Sequence, residues 1–181
     1  MTFTPCVFTP YRHVEHLPDD ALVYDVSSYA DHPYCTFSPM WVHGDIPVPG
    51  MSNETSDTVE GIWQGLKVIR GKTATRLFRG KGQKRGGKPA GHFYGKKDRL
   101  LGIVEARQKI YLVAYEWMLA NRADPDLIAK FVKRAFEGTS QYFHDVGDNG
   151  DINNADAPLA HAAVLVQYIN RICKQRLSQK P

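Results

Sequence analysis

Asp57-Thr-Val-Glu-Gly-Ile-Trp-Gln-Gly-Leu-Lys67 has the spacing of a helix with two unlike faces. Val59, Ile62, Trp63, Leu66 and Ile69 recur at helical intervals and form an apolar stripe. Glu60, Gln64 and Lys67 recur at the same intervals and form a polar stripe beside it. Gly61 and Gly65 lie next to the polar stripe, one turn apart. A glycine inside a helix costs roughly 1 kcal/mol relative to alanine. A pair of them on one face marks a place where another helix or a ligand comes close to the backbone.

Glu60 has two readings at this point. With Asp57 three residues before it, it fits a capping box, its carboxylate reaching back to the first turn. The same position, near the positive end of the helix dipole, favours the anion. That suits a base, a nucleophile or a fixed charge facing a developing cation.

The chain has 181 residues, enough for one domain with its own core. Its 43% hydrophobic and 11% aromatic content is that of a globular chain and excludes a disordered one. No apolar run reaches membrane-spanning length, so no membrane partner is expected. The start, Met-Thr-Phe-Thr-Pro5, has neither the basic residues nor the apolar run of a signal peptide, and a cytoplasmic location is expected. Cys6, Cys35 and Cys173 contain no C-x-x-C pair, which predicts a reduced protein without a disulfide framework or zinc site.

Outward from the central helix, residues 1–20, with Pro5, Pro10 and Pro18, read as an extended arm, His13 and His16 being surface residues. Ala21 to Val26 reads as a strand, and Met40 to His43 as a second short one. A turn at Gly44-Asp45 would lead into Ile46-Pro-Val48, held at a sheet edge by its prolines. On the other side, Arg70 to Arg99 is crowded with cations. Arg70, Lys72, Arg76, Arg79, Lys81, Lys84, Arg85, Lys88, Lys96, Lys97 and Arg99 face Asp98 as their only acid. The segment predicts a short helix over Thr73–Phe78, with the rest a glycine-rich loop able to wrap phosphates. It contains no P-loop or Rossmann pattern.

Leu100 to Asn121 predicts the longest helix, with Glu105, Arg107 and Lys109 facing water. Asp126 would cap a helix running to Phe136, with Gly138 as its C-terminal stop. Gln141 to Asp145 reads as a strand. Val146 to Asp156 follows as a loop rich in Asp, Asn and Gly that satisfies its own turns and lacks the calcium-loop register. Asp156 would cap the final helix, with Pro158 and His161 in its first turn. Short strands followed by helices predict one helix-rich α+β domain.

Thr36 to Lys67 resembles the NADAR family of YbiA-like proteins. Phe37-Ser38-Pro39 stands for the family's F-S-P segment, Gly44 for its turn, and Glu60, Gln64 and Lys67 for its helix register. The acidic loop before Pro158-Leu-Ala-His-Ala-Ala163 resembles the family's Asp-rich loop. Gly61 stands where the family commonly has histidine, which marks a divergent branch.

The resemblance implies a single YbiA-like domain and a metal-independent N-glycosidase without cofactors. Its substrate would be ADP-ribose-like or nucleotidic, such as ADP-ribosylated guanine in nucleic acid. Glu60 would face the oxocarbenium-like centre, and Asp145 or Asp151 would be the second catalytic group. Gln64, Asp148, Asn154 and His161 would bind the substrate. Lys67, Arg79, Lys84, Arg85 and Lys88 would hold phosphates, and Trp41 would stack on a base. A second class is open: a non-catalytic nucleic-acid or ADP-ribose binding module using residues 70–99, with Phe78, Phe93 and Tyr94 as stacking partners.

Overall fold

The computed structural model describes residues 2–179, with residues 96–98 in backbone alone. It is a mixed α and β structure divided into two compact units, residues 1–38 with 123–181, and residues 39–122. In the first unit a parallel sheet has the order β1 (Val7–Phe8), β8 (Gln141–His144), β2 (Leu22–Asp25). The strand latest in sequence is therefore central, with Leu22 opposite Gln141 and Asp25 opposite His144. Parallel neighbours cannot be joined by tight hairpins, so this sheet is built from contacts distant in sequence.

Helices α4 (Pro125–Phe136) and α5 (His161–Ser178) belong to the same unit. The fully buried Phe143 has its ring 4.9 Å from Tyr24 and 5.0 Å edge-on from Phe131. Such ring pairs contribute about 0.5–1.5 kcal/mol each beyond area burial. Asp124 caps α4, its Oδ1 accepting from the Asp126 amide at 2.9 Å, and Pro125 fills the first helical position. The cap is thus Asp124 rather than the expected Asp126. Gly138 ends this helix at φ 82°, as its position predicts.

In the second unit α1 (Val59–Leu66) packs its glycine face on a 3-10 turn, Thr75–Phe78. A two-stranded hairpin pairs β3 (Ile46–Pro47) with β4 (Thr55–Ser56). A three-stranded antiparallel sheet has the order β5 (Lys67–Val68), β6 (Gly91–Tyr94), β7 (Lys96–Leu101). Then follow α2 (Ile103–Ala106), a π-helical turn over Arg107–Tyr111, and α3 (Leu112–Asn121).

Several expectations change here. The strand expected over Gln141 to Asp145 forms and ends one residue earlier, at His144. The N-terminal arm holds β1 and a 3-10 turn, Tyr11–His16. No strand forms over residues 40–43, where Trp41 and Val42 are exposed, and Ile46–Pro47 pairs forward with Thr55–Ser56 instead. The C-terminal third of the basic segment is a hairpin rather than a loop, because His92 and Leu101 face each other and bury together. The side chains of Lys96, Lys97 and Asp98, counted in that segment, lie outside the described residues. Arg107 is buried, not solvent-facing: the wider π turn shifts the helical register and carries it inward. Among the described residues no helix is long and apolar enough to cross a membrane.

Candidate functional site

Helix α1 presents Glu60, Trp63 and Gln64 on one side. The helix is started by Thr58, whose Oγ1 accepts from the Gly61 amide at 2.8 Å. Asp57 and Glu60 therefore do not form a capping box. Asp57 accepts instead from the Gly80 amide at 2.6 Å. This leaves Glu60 for other partners. Its Oε1 accepts from Gln64 Nε2 at 2.8 Å, one turn on, and no described residue donates to its other oxygen. The residue is 7% exposed.

Gly61 and Gly65 serve the helix partner, not a ligand. A Cβ on Gly61 would overlap the Leu77 carbonyl oxygen, and one on Gly65 would overlap the Phe78 ring. The basic loop approaches Glu60 at another glycine. A Cβ on Gly82 would lie 3.0 Å from Glu60 Cβ and 3.1 Å from Met40 Cα. The Glu60 amide itself donates to Pro39 O at 2.8 Å. Pro39 thus holds the backbone of Glu60 and the glycine loop lies against the base of its side chain.

Lys67 follows the last turn of α1 and begins β5, so it leaves the helix that its spacing predicted. Burial holds its ammonium below the ordinary range. Glu60 pulls the other way, and Arg85 and Lys84 push it down further. These three cations and one carboxylate share a local field. The Arg85 amide donates to Gln64 Oε1 at 3.2 Å, and its guanidinium donates to the carbonyls of Gln64, Lys67 and Lys72. Arg85 is a clip for the loop rather than the free phosphate ligand its position suggested. Arg79 is also engaged, with Asp57 at 3.7 Å and Thr55 Oγ1 at 3.3 Å. Lys84 and Lys88 are exposed.

Trp63 is partly exposed, whereas Val59, Ile62 and Leu66 of the apolar stripe are buried. One face lies 4.1 Å from the His92 ring, and Lys67 Nζ is 5.8 Å from its centroid. His92 was not singled out by the sequence, and no pattern marks it. It is buried with both ring nitrogens unpartnered, and burial together with Lys67 pushes its pKa down to about 4. Trp41 is 41% exposed on the irregular segment. Two clefts of this unit have volumes of about 330 Å³, lined by Tyr94, Arg99 and Glu105 among others, and about 680 Å³, lined by Val68, Phe93 and Leu100 among others. Glu60 lines neither.

In the other unit, Asp145 and His161 come together. Asp145 Oδ2 is 2.8 Å from His161 Nδ1 and accepts from the Ala162 amide at 3.0 Å, while Oδ1 accepts from the Gly147 amide at 2.5 Å. Asp145 thereby caps α5, which begins at His161, so neither Asp156 nor Pro158 starts that helix. Burial alone would raise the Asp145 pKa. The His161 hydrogen bond and charge, with the two amides, hold it below its ordinary value. His161 Nε2 lies 2.8 Å from Val26 O. Both oxygens of Asp145 and both nitrogens of His161 are committed to protein partners.

The rest of the acidic loop satisfies its own turns, as expected. Asn149, Asp151 and Asn154 each accept from the amide two residues on. Asp148 is 3.4 Å from Arg12. Asp151 and Asn154 are exposed. Among the described residues no group of three or more His, Cys, Asp or Glu gathers as a metal site would need.

The chain belongs to the family of unknown function DUF6939, which matches residues 9–165. Comparison with curated proteins and with solved structures found no match.

Proposed function

We propose that this protein is a metal-independent N-glycosidase acting on a ribosyl bond of an ADP-ribose-type substrate, in a YbiA-like single domain of the NADAR kind. One observation carries the reading. Glu60 is a nearly buried carboxylate fixed by Gln64, with its second oxygen free of protein donors. That oxygen is not sealed from solvent, so a water or a ligand can reach it. Lys67, Lys84 and the Arg85 clip supply positive charge beside it, suited to a substrate that carries phosphate.

In the proposed reaction the bond from the ribose C1 to the base nitrogen breaks, and its electron pair leaves with the base. Glu60 stabilises the cationic sugar and orients a water molecule, whose oxygen bonds to C1. One proton of that water ends on the leaving nitrogen. Asp145 is committed to capping α5 and to His161, so the reading rests on Glu60. Asp151→Asn in the same assay tests whether the acidic loop contributes.

The test is incubation with ADP-ribosylated oligonucleotides and free nucleotides, read by mass spectrometry. Glu60→Gln should abolish release of ADP-ribose or free base while the melting temperature holds. Normal turnover by that variant would sink the proposal.

A further inference from the structure

The β5–β6–β7 sheet has a face that the Glu60 set does not use. His92 and Leu101 pair on one face, so alternation places Val68, Phe93 and Leu100 on the other. There they floor the cleft of about 680 Å³, with Lys72, Thr73 and Thr75 exposed at its rim. A volume of this order holds a nucleotide-sized group.

Two features of the backbone bear on what enters. The β6–β7 register shifts between His92 and Tyr94: His92 pairs with Leu101 and Tyr94 with Lys96, so the extra residues lie on β7, opposite Phe93. At the cleft's edge, Ile69 and Lys72 bond each other across a tight turn whose central residues are Arg70 at φ 51° and Gly71 at φ 72°. Two consecutive positive φ values normally select Asn-Gly or Gly-Gly. Arginine at the first position is strained there, and its exposed side chain has no partner among the described residues. A strained backbone carrying a free cation next to Gly71 and Lys72, which line the cleft, points to a ligand with negative charge.

We propose that this cleft docks single-stranded nucleic acid, with an unpaired base on Phe93 and Leu100 and the adjoining phosphates on Arg70 and Lys72. Stacking on an aromatic floor beside a cationic track is how unpaired strands are held without sequence readout. A strand fits better than a free nucleotide because the cations continue beyond the cleft. Lys88 stands in the run Gly87–Ala90, which lies along β5: the Ala90 amide donates to Val68 O at 2.8 Å, and Gly87 abuts Ile69.

The experiment is fluorescence anisotropy of the whole protein with a labelled single-stranded oligonucleotide at low and physiological salt. Phe93→Ala should weaken binding about tenfold. Arg70→Asn should weaken it several-fold, lower the log–log salt slope by about 0.7, and raise the melting temperature by relieving the turn. That combination separates a ligand contact from a structural role. Glu60→Gln should bind as the unaltered protein does, so the glycosidase reading can fail while this one stands. Unchanged affinity in both Phe93→Ala and Arg70→Asn overturns the proposal, as does AMP competing as effectively as the oligonucleotide.

Discussion

Asp145 Oδ2 sits 2.8 Å from His161 Nδ1 and 3.0 Å from the Ala162 amide, so one buried carboxylate joins the end of β8 to the first turn of α5. The other ring nitrogen, Nε2, lies 2.8 Å from Val26 O, so the imidazole is held between the Asp145 carboxylate and a backbone carbonyl. Removing the carboxylate leaves a helix start and a histidine without their acceptor. Breaking one side of a buried pair costs about 3 kcal/mol or more. Asp145→Asn is expected to lose about that much stability at neutral pH, measured by urea unfolding. The pH dependence has a definite sign. The folded pKa lies below the ordinary 3.8, so the unfolded chain takes the proton first as pH falls. The stabilisation from Asp145 is complete above that value and is lost as pH drops through the lower, folded one. The variant should lack this part of the acid limb.

His92 titrates in a different window. Its folded pKa of about 4 lies below the ordinary 6.5, so the folded protein keeps it neutral while the unfolded chain charges. Stability from this group is present above pH 6.5 and falls as pH drops from there towards 4. A gap of that width corresponds to roughly 3 kcal/mol. His92→Phe keeps a ring against Trp63 and removes two buried, unpartnered nitrogens. It should be at least as stable as the unaltered protein at pH 7 and more stable at pH 4.5, measured by denaturant titration. Parallel losses in both proteins between those pH values would show that His92 is not the group responsible.

The parts of this structure that were legible in the sequence are those set by near neighbours. Val59–Leu66, Pro125–Phe136, the stop at Gly138 and the Asx turns of residues 149–156 each follow from residues within one or two turns. What could not be read depends on partners far along the chain. No local pattern says that Gln141–His144 lies between Val7–Phe8 and Leu22–Asp25, or that Asp145 rather than Asp156 caps the last helix. The π turn at Arg107–Tyr111 defeated the 3.6-residue period by adding to it. In the site, the Glu60–Gln64 spacing was visible, but the glycines beside it gave no sign whether a helix or a ligand approached them. The positions of Leu77 and Phe78 decide that in favour of the protein.

Alanine at these glycines sets helix propensity against packing. Propensity alone would favour Gly61→Ala and Gly65→Ala by roughly 1 kcal/mol each. The new methyl at position 61 meets a backbone carbonyl, which can move only with its turn, and that at position 65 meets the Phe78 ring. Overpacking of this kind costs typically about 1–3 kcal/mol. Both variants should therefore melt below the unaltered protein, Gly61→Ala lower than Gly65→Ala. A rise in melting temperature for either would mean that the close approach is not maintained in solution.

Arg85 ties the glycine-rich loop to the frame, and its geometry explains why lysine could not do the same. The guanidinium reaches three carbonyls at once: Lys67 O at 2.6 Å, Gln64 O at 3.1 Å and Lys72 O at 3.3 Å. A planar fork of donors suits that set, whereas an ammonium is a single point on a flexible stem. These contacts hold the loop that carries Gly82 against Glu60, and they involve little of the apolar core. Arg85→Lys is thus expected to loosen residues 80–88 with only a small change in global stability. Limited trypsin digestion reads this directly, because trypsin cuts after both residues and the substitution leaves the number of sites unchanged. Earlier cleavage within residues 80–88, with nearly the same melting temperature, is the expected result. If the loop resists trypsin as long as before, the clip does not govern its closure. If melting falls steeply, Arg85 belongs to the core rather than to the loop. Where the glycosidase reading holds, the same variant should also lose activity, since opening the loop removes Gly82 and the Arg85 charge from beside Glu60.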